Sequence, residues 1–489
     1  MTLMDLLASI PRADVDRTAA DPEILRVSHD SRSVRPGDLF FAIRGGKVDG
    51  IEHVPEALAR GAAAVVSDRA APAGVGVPWV TVERPRLALA LAAARLARNP
   101  AEKLVLAGVT GTNGKTTTTR LLSALLGRRF GAAGFIGTIG YRTGRREIEA
   151  SRTTPDATVI QGLLAEMVDQ GVKAAALEVS SHALALDRVA GCRFDAAVFT
   201  NLTREHLDFH RDMEDYYSAK AMLFGMRKPG AKAVVNVDDS YGARLASEIA
   251  PPVWRISSRG AAADVRAEAI RCDLGGVSFD VVRPDRPALR IESPLLGRFN
   301  VDNLLAAAAG GLSLGLSDEE VADGSARVRT VPGRLERVEA GQPFPIVVDY
   351  AHTPDALERL LLAVRELTDL KIVLVFGAGG DRDRGKRFPM GEIAGRLADI
   401  PIVTSDNPRS EDPAAILAEV GAGLAASGAT KALRIADRRE AIRAAIDLAN
   451  SGTIVVIAGK GHETTQVIGE QELPFDDRRV AAELAGARR

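Results

Sequence analysis

Gly111, Gly114, Lys115 and Thr116 lie within residues 103–126, KLVLAGVTGTNGKTTTTRLLSALL. Such a set can hold a phosphate chain. Leu104, Val105 and Leu106 form a short apolar run ending at Gly108, and Leu121, Leu122 and Leu125 have helical spacing. The glycines therefore fall at a strand-to-helix turn. There, backbone N–H groups and a helix N-terminus face an anion, and no Cβ blocks its approach. Lys115 then reaches the β- and γ-phosphates, and the Thr116 hydroxyl holds Mg²⁺. Val109 stands where the general pattern has its first glycine, with Gly108 one place early. A plain turn would leave the run from Gly114 to Thr117 unexplained.

Other reactive side chains follow apolar runs. Glu178, Ser180, Ser181 and His182 come at and after an expected strand at 174–179, and NLTREHLDFH, 201–210, follows one at 196–200. SRTTPD, 151–156, forms an earlier loop. Glu178 offers oxygen, and His206 imidazole, to a metal. A lone histidine is ordinarily a satisfied structural residue, but three of the chain's seven sit at these two strand ends, which favours a site. Lys220, in an expected helix at 216–224, reads on residue types alone as a solvated lysine. Asn303, at the start of an Ala/Leu-rich helix at 304–314, serves equally as a cap or as a contact to a base.

Four more polar clusters follow expected strands at 346–349, 372–376, 402–404 and 454–457: DYAHTPD, GAGGDRDRGKR, DNPR and GKGHE. One shared crevice explains all four better than four solvated loops. Arg382 and Arg409 suit carboxylates, which a guanidinium fork grips bidentately. Glu463 suits an ammonium. Arginines with a glutamate fit a zwitterionic amino acid.

Positioning these residues takes alternating strands and helices with parallel sheets. The expected fold is α/β, with three domains: 1–99, 100–331 and 332–489. The central one carries a doubly wound parallel sheet with the phosphate loop, and the last a Rossmann-like sheet. Asn99-Pro100 and the run from Val331 to Gly333 mark the boundaries. In the first domain, strands are expected at 38–43, 63–66 and 79–82, and helices at 56–60 and 87–97. The polar and glycine residues near its first strand, including 45–50, read as turns.

The 489 residues suffice for two to four domains, and 46% apolar with 26% charged residues is an ordinary globular balance. A net charge of −1 without a basic stripe argues against nucleic acid as the main partner. Cys192 and Cys272 match no disulfide framework or zinc spacing, which suits a reducing compartment. No stretch approaches the ~20 apolar residues of a membrane span. The first residues lack the basic start and apolar core of a signal peptide. A cytoplasmic, membrane-free protein is expected.

VTGTNGKTTTT, LEVSSHAL, FTNLTREHLDFH, DYAHTPDALE, GGDRDRGKR and AGKGHE, in this order, resemble the Mur ligase family, the ATP-dependent amino-acid ligases of peptidoglycan synthesis. The resemblance spans essentially the whole chain. It is strongest to the diaminopimelate-adding branch, whose DNPR motif matches Asp406, Asn407, Pro408 and Arg409. The resemblance implies that Gly111, Thr112, Asn113, Gly114, Lys115, Thr116 and Thr117 bind ATP phosphates. It implies that Thr116 and Glu178 hold Mg²⁺, that His206 helps hold a second Mg²⁺, and that Lys220 becomes a carbamate near the metals. Lys115, Glu178, His206 and Lys220 would then be the catalytic set.

By the same resemblance, Asn303, Arg334 and Asp349 contact the nucleotide. Ser31, Thr153, Thr154, Ser180 and Arg188 contact UDP-N-acetylmuramoyl-L-Ala-D-Glu. Arg382, the four DNPR residues, Gly459 and Glu463 hold meso-diaminopimelate. The implied enzyme is a monomer that joins the two substrates through an acyl phosphate. An L-lysine-adding ligase is the near alternative, and Arg409 argues against it. A folylpolyglutamate synthase and a phosphate-loop NTPase switch are more remote, because they leave the C-terminal clusters unexplained.

Overall fold

Val105–Thr110 is a strand and Lys115–Phe130 a helix in the computed structural model, which describes residues 1–15, 20–45 and 48–487. Gly46 and Lys47, part of the expected turn at 45–50, lie outside the described residues. The chain divides into two compact units. The first comprises Met1–Ala267, Val281–Leu289 and Asn303–Ser325; the second comprises Glu268–Asp280, Arg290–Asp302 and Ala326–Arg489. No helix among the described residues is long and apolar enough to cross a membrane.

The first unit holds two sheets. The smaller has the order Asp14–Val15, Trp79–Thr81, Ala64–Ser67, Asp38–Ala42, Arg26–Ser28, and only its first strand is antiparallel. Side chains alternate across a strand. Accordingly Leu39 and Phe41 enter one core with Val66, Val80 and Leu89, while Phe40 enters another with Val65 and Trp79.

The larger sheet sets Val105–Thr110 between Phe194–Phe199 and Ala174–Glu178, all parallel. Arg227–Asn236 and Val253–Ser257 continue beyond Phe194–Phe199, and Ala133–Gly137 lies beside Ala174–Glu178. Register places Glu178 opposite Val109 and Phe199 opposite Thr110. Residues 111, 179 and 200 therefore leave the sheet at one edge, where parallel α/β sheets bind ligands.

One face of this sheet packs on helices Ala157–Asp169 and Met213–Gly225 through Leu164, Met167, Tyr216, Leu223 and Phe224. Each such side chain contributes about 1.5–3 kcal/mol by leaving water. Cys192 belongs to the same core, with Gln161 Nε2 donating to its Sγ at 3.6 Å. Burial pushes the thiol up to about 12. Because the thiolate is the nucleophile, iodoacetamide at pH 8 is expected to label the partly exposed Cys272 and to spare Cys192 until the chain unfolds. Peptide mass mapping reads this, and rapid Cys192 labelling in the folded protein would contradict it.

The second unit carries a six-stranded sheet ordered Glu336–Arg337, Ile346–Asp349, Thr453–Ala458, Lys371–Phe376, Ile400–Val403, Leu433–Arg434. All but the first strand are parallel. Helices Pro354–Leu367, Arg387–Leu397 and Pro413–Ala426 share one core, and Arg438–Leu448 and Asp477–Ala487 share the other. This is the open, mostly parallel, Rossmann-like sheet expected for the last part of the chain. Register pairs Asp349 with Ala458 and Phe376 with Val403, so the four polar clusters emerge at one edge.

The helix expected at 304–314 begins earlier, as Phe299–Ser313. Asn303 thus stands a turn inside it, which removes the capping role. The strands Ala133–Gly137 and Val253–Ser257 and the hairpin Thr465–Ile468/Gln471–Pro474 were not expected.

Candidate functional site

In the first unit the glycine turn is pinned from the next strand end. Thr112 N–H donates to Asn201 O at 2.8 Å, Asn113 N–H donates to Asn201 Oδ1 at 2.9 Å, and Thr200 Oγ1 donates to Asn113 O at 2.6 Å. Gly114 has φ +83°, and a Cβ there would meet Asn303 Oδ1. Thr118 Oγ1 also donates to that oxygen, at 3.4 Å. Lys115 Nζ folds back onto Gly111 O and Thr112 O at 2.9 and 2.6 Å. Thr116 and Thr117 occupy the first helical turn, whose N–H groups have no partner inside the helix.

Glu178 is fully buried at the end of its strand. Its Oε2 accepts from Thr116 Oγ1 and Thr138 Oγ1, both at 3.1 Å, and its Oε1 accepts from Thr138 N–H at 2.8 Å. Burial pushes the carboxyl up, against the pull of these bonds and of Lys115. Thr138 was not singled out from sequence; it follows a glycine-rich strand that gives little apolar signal. A buried carboxylate beside a hydroxyl is a hard-oxygen pair of the kind Mg²⁺ takes together with phosphate and water. The residues present fit that ion. Among the described residues no three His, Cys, Asp or Glu groups converge as a metal cluster.

Asp212 caps helix Met213–Gly225 by accepting from Asp215 N–H at 2.8 Å, and Lys220 lies on the helix's inner face. Its Nζ donates to Gly111 O at 2.7 Å and sits 4.6 Å from the Tyr216 ring centre. Burial, and then the charge of Lys115, hold the amine well below its ordinary range. The solvated reading of Lys220 is thereby corrected: it is fully buried. His206 has φ +57°, stands edge-on to His182 at 4.9 Å, and is 39% exposed. Burial lowers its basicity.

Thr153, Thr154, Ser180 and Arg188 come together beside Glu178. Thr153 Oγ1 is 2.9 Å from Thr138 Oγ1. Thr154 Oγ1 donates to Glu178 O at 2.8 Å and lies 3.2 Å from Ser180 Oγ, and Arg188 Nη1 donates to Thr154 O at 3.0 Å. Ser31 donates to Glu56 Oε2 at 2.7 Å. Its neighbours His29, Asp30 and Arg32 line a groove of about 800 Å³.

In the second unit Asp349 is spoken for by backbone. Its two oxygens accept from Leu335 N–H and Ala351 N–H at 2.8 and 2.9 Å. Arg334 lies 5.3 Å over the Tyr350 ring. Asn407 Nδ2 and Lys460 Nζ both donate to Glu463 Oε2 at 2.9 Å, and Lys460 also reaches Asn407 Oδ1 at 3.0 Å. Burial pushes the Glu463 carboxyl up, but Lys460 and Asn407 bring it below its ordinary value. Lys460, within GKGHE, is a positioning residue that the sequence reading left without a role.

Asp406 is buried, which raises its carboxyl against the pull of Arg438 and Lys460. Arg438 is itself buried. It forms a double bond pair with Asp477 at 2.7 and 2.6 Å and donates to Ala458 O, next to Gly459. A Cβ on Gly459 would approach Asp406 Oδ2 at 2.8 Å. Pro408 O accepts from Glu411 N–H at 3.1 Å. Arg409 has φ +52°; its backbone bonds Val467 and Gly469 of the hairpin region, and its Nη1 donates to Gly380 O at 2.7 Å. Neither Arg382 nor Arg409 has an ion-pair partner among the described residues.

Known proteins share this architecture. Three family models match successive stretches: the Mur ligase family catalytic domain over 23–96, the Mur ligase middle domain over 109–311, and the Mur ligase glutamate ligase domain over 333–461. The UDP-N-acetylmuramoyl-L-alanyl-D-glutamate--2,6-diaminopimelate ligase of Geobacter metallireducens is 45% identical over 99% of this chain and 98% of its own. The ligase of the same name from Geobacillus kaustophilus is 46% identical over 98% of each. A solved structure of a ligase so named superposes with TM-score 0.72 at 35% identity, covering 95% of both chains. By full-length identity, by domain succession and by fold, the chain belongs to the Mur ligase family.

Proposed function

We propose that the chain is an ATP-dependent ligase that joins 2,6-diaminopimelate to the γ-carboxylate of D-Glu in UDP-N-acetylmuramoyl-L-alanyl-D-glutamate. The observation that carries this reading is the cluster of polar side chains at the strand ends of the second unit. Among the described residues Arg382 and Arg409 have no ion-pair partner, and Glu463 is held by Lys460 and Asn407 with Oε2 engaged. Guanidinium groups not engaged by a carboxylate, beside a fixed carboxylate, suit an amino acid that carries a second carboxylate-bearing head. The names of the full-length relatives support the same reaction. We further propose the meso isomer as substrate, three domains divided at 99 and 331, and a cytoplasmic monomer as the working form. The free thiols of Cys192 and Cys272 fit a reducing compartment.

In the first step a γ-carboxylate oxygen of the dipeptide attacks the γ-phosphorus of ATP. The bridging oxygen leaves with ADP, and an acyl phosphate results. The diaminopimelate amine then attacks the acyl carbon, phosphate departs, and the nitrogen loses a proton to leave an amide. The chain supplies position and charge rather than a nucleophile. Lys115 and the N–H groups of Thr116 and Thr117 in the first turn of its helix would face the phosphates, while Thr153, Thr154, Ser180 and Arg188 would orient the UDP-linked dipeptide. Mg²⁺, held by Thr116 and Glu178, with His206 and a carbamate on Lys220 near a second ion, would neutralise phosphate charge. Asn303, beside Gly114, would contact the nucleotide.

Phosphate release with the UDP-linked dipeptide and ATP tests the reading, comparing meso-diaminopimelate, L-lysine and no amino acid. Release with diaminopimelate alone is the expected result. Equal release in all three would mark a simple NTPase, and release with lysine alone would refute the pocket assignment.

A further inference from the structure

Glu411 lies two residues beyond Arg409, just before helix Pro413–Ala426, and has entered none of the site assignments so far. It gathers the loop that carries Arg382. Its Oε1 accepts from Asp381 N–H at 2.6 Å and from Arg387 Nη2 at 2.8 Å, and its Oε2 accepts from Arg384 Nη2 at 2.9 Å. Hydrogen bonds from Arg387 and from the Asp381 amide hold the carboxyl down at about 2, so it is ionised throughout the physiological range.

The two loops are tied in both directions. Ser410 donates to Asp381 through N–H and Oγ at 3.1 and 2.7 Å, and Gly380 N–H donates to Asn407 O at 2.9 Å. A Cβ on Gly380 would collide with Pro408 O, so the backbones touch. Arg387 is fully buried and also donates to Glu419 Oε2 at 3.0 Å.

Residues 382–387 present Arg382, Arg384, Lys386 and Arg387 within one short turn. Such a cationic run could offer any of its groups to an incoming carboxylate. Here three of the four are already engaged. Glu411 takes Arg384 and Arg387, and Lys386 Nζ donates to His352 O at 3.1 Å. The one bond recorded for the Arg382 side chain is a long one, 3.4 Å, to Asp381 O.

We propose that Glu411 is a positioning residue for amino-acid specificity: it binds the two neighbouring arginines and fixes the loop, so that Arg382 alone is presented alongside Arg409. This rests on reading the pocket as the amino-acid site. Removing the charge at 411 releases Arg384, a solvent-facing guanidinium at 68% exposure, to compete with Arg382 for the same carboxylate. The buried Arg387 keeps Glu419, so the fold retains its anchor.

The test is steady-state phosphate release by the full chain. Glu411→Gln is expected to raise KM for diaminopimelate about ten-fold, with kcat and the KM values for ATP and the UDP-linked dipeptide unchanged. Adding Arg384→Ala to that variant is expected to recover most of the loss, because the competing guanidinium is gone. A merely structural role predicts no recovery, since the second change removes a further group. An unchanged diaminopimelate KM in Glu411→Gln, or no recovery in the double variant, overturns the proposal. Should Glu411→Gln not fold, Arg384→Ala alone is read instead: an unchanged diaminopimelate KM is expected, and a rise would place Arg384 itself on the substrate and overturn the proposal. Wild-type enzyme that ignores diaminopimelate would refute the pocket reading itself, a result separate from either variant outcome.

Discussion

Replacing Lys220 with alanine is expected to slow acyl-phosphate formation by about 10²–10³-fold, the range for losing one charge-stabilising group at a phosphoryl or acyl transfer. ATP binding is expected to stay within a few-fold, since Lys115 and the turn amides remain. Lys220 is buried with no carboxylate at ion-pair distance among the described residues, bonded to Gly111 O, and desolvation and then Lys115 lower its affinity for a proton. A neutral buried amine is the form that adds CO₂, losing a proton as the carbamate forms. Lys220→Arg separates charge from carbamate, because a guanidinium keeps the cation and cannot add CO₂ in this way. It is expected to be as slow as alanine. Trapping the acyl phosphate with hydroxylamine reads the step directly, and normal trapping in Lys220→Arg would refute the carbamate.

The second large effect is expected at Arg409. Arg409→Ala removes the guanidinium and leaves the backbone bonds to Val467 and Gly469 in place. A hydrogen bond to a charged group is worth about 1.5–3 kcal/mol, so KM for diaminopimelate is expected to rise by about 10–150-fold. KM for ATP is expected not to move. Lysine has no planar fork, and Arg409→Lys is expected to recover little of the loss. Equal diaminopimelate KM values in wild type and Arg409→Ala would remove this residue from the pocket.

The strand, glycine turn and helix at 105–130 were legible in the sequence because everything they need is local: one apolar run, two glycines and a helix start. The second unit's strands were legible for a related reason. Strands buried on both faces, such as Lys371–Phe376 and Thr453–Ala458, read as unbroken apolar runs. Lys220 was not legible as buried, because burial depends on how Tyr216, Leu223 and Phe224 rotate its helix into the core. Thr138 was missed because Ala133–Gly137 carries few large apolar residues to mark it as a strand. The Arg438–Asp477 pair was invisible because its members are far apart in sequence and look, locally, like solvated helix charges. Asn303 was placed near a helix start because its Ala/Leu pattern begins after it, whereas the helix begins at Phe299.

The first unit is assembled from three separated stretches, the last of which is Asn303–Ser325. That stretch sits on the helix Lys115–Phe130: Leu122 borders Gly310, Leu125 borders Gly324, and Arg128 Nε meets Asp323 Oδ2 at 2.5 Å. On the ribosome, then, the helix that ends at Phe130 emerges well before its packing partner. At ~5–20 residues per second the wait is about 10–40 s. Until then Leu122 and Leu125 lack their partners on that stretch, and the close approach of Asn303 to Gly114 has to await the return of the chain.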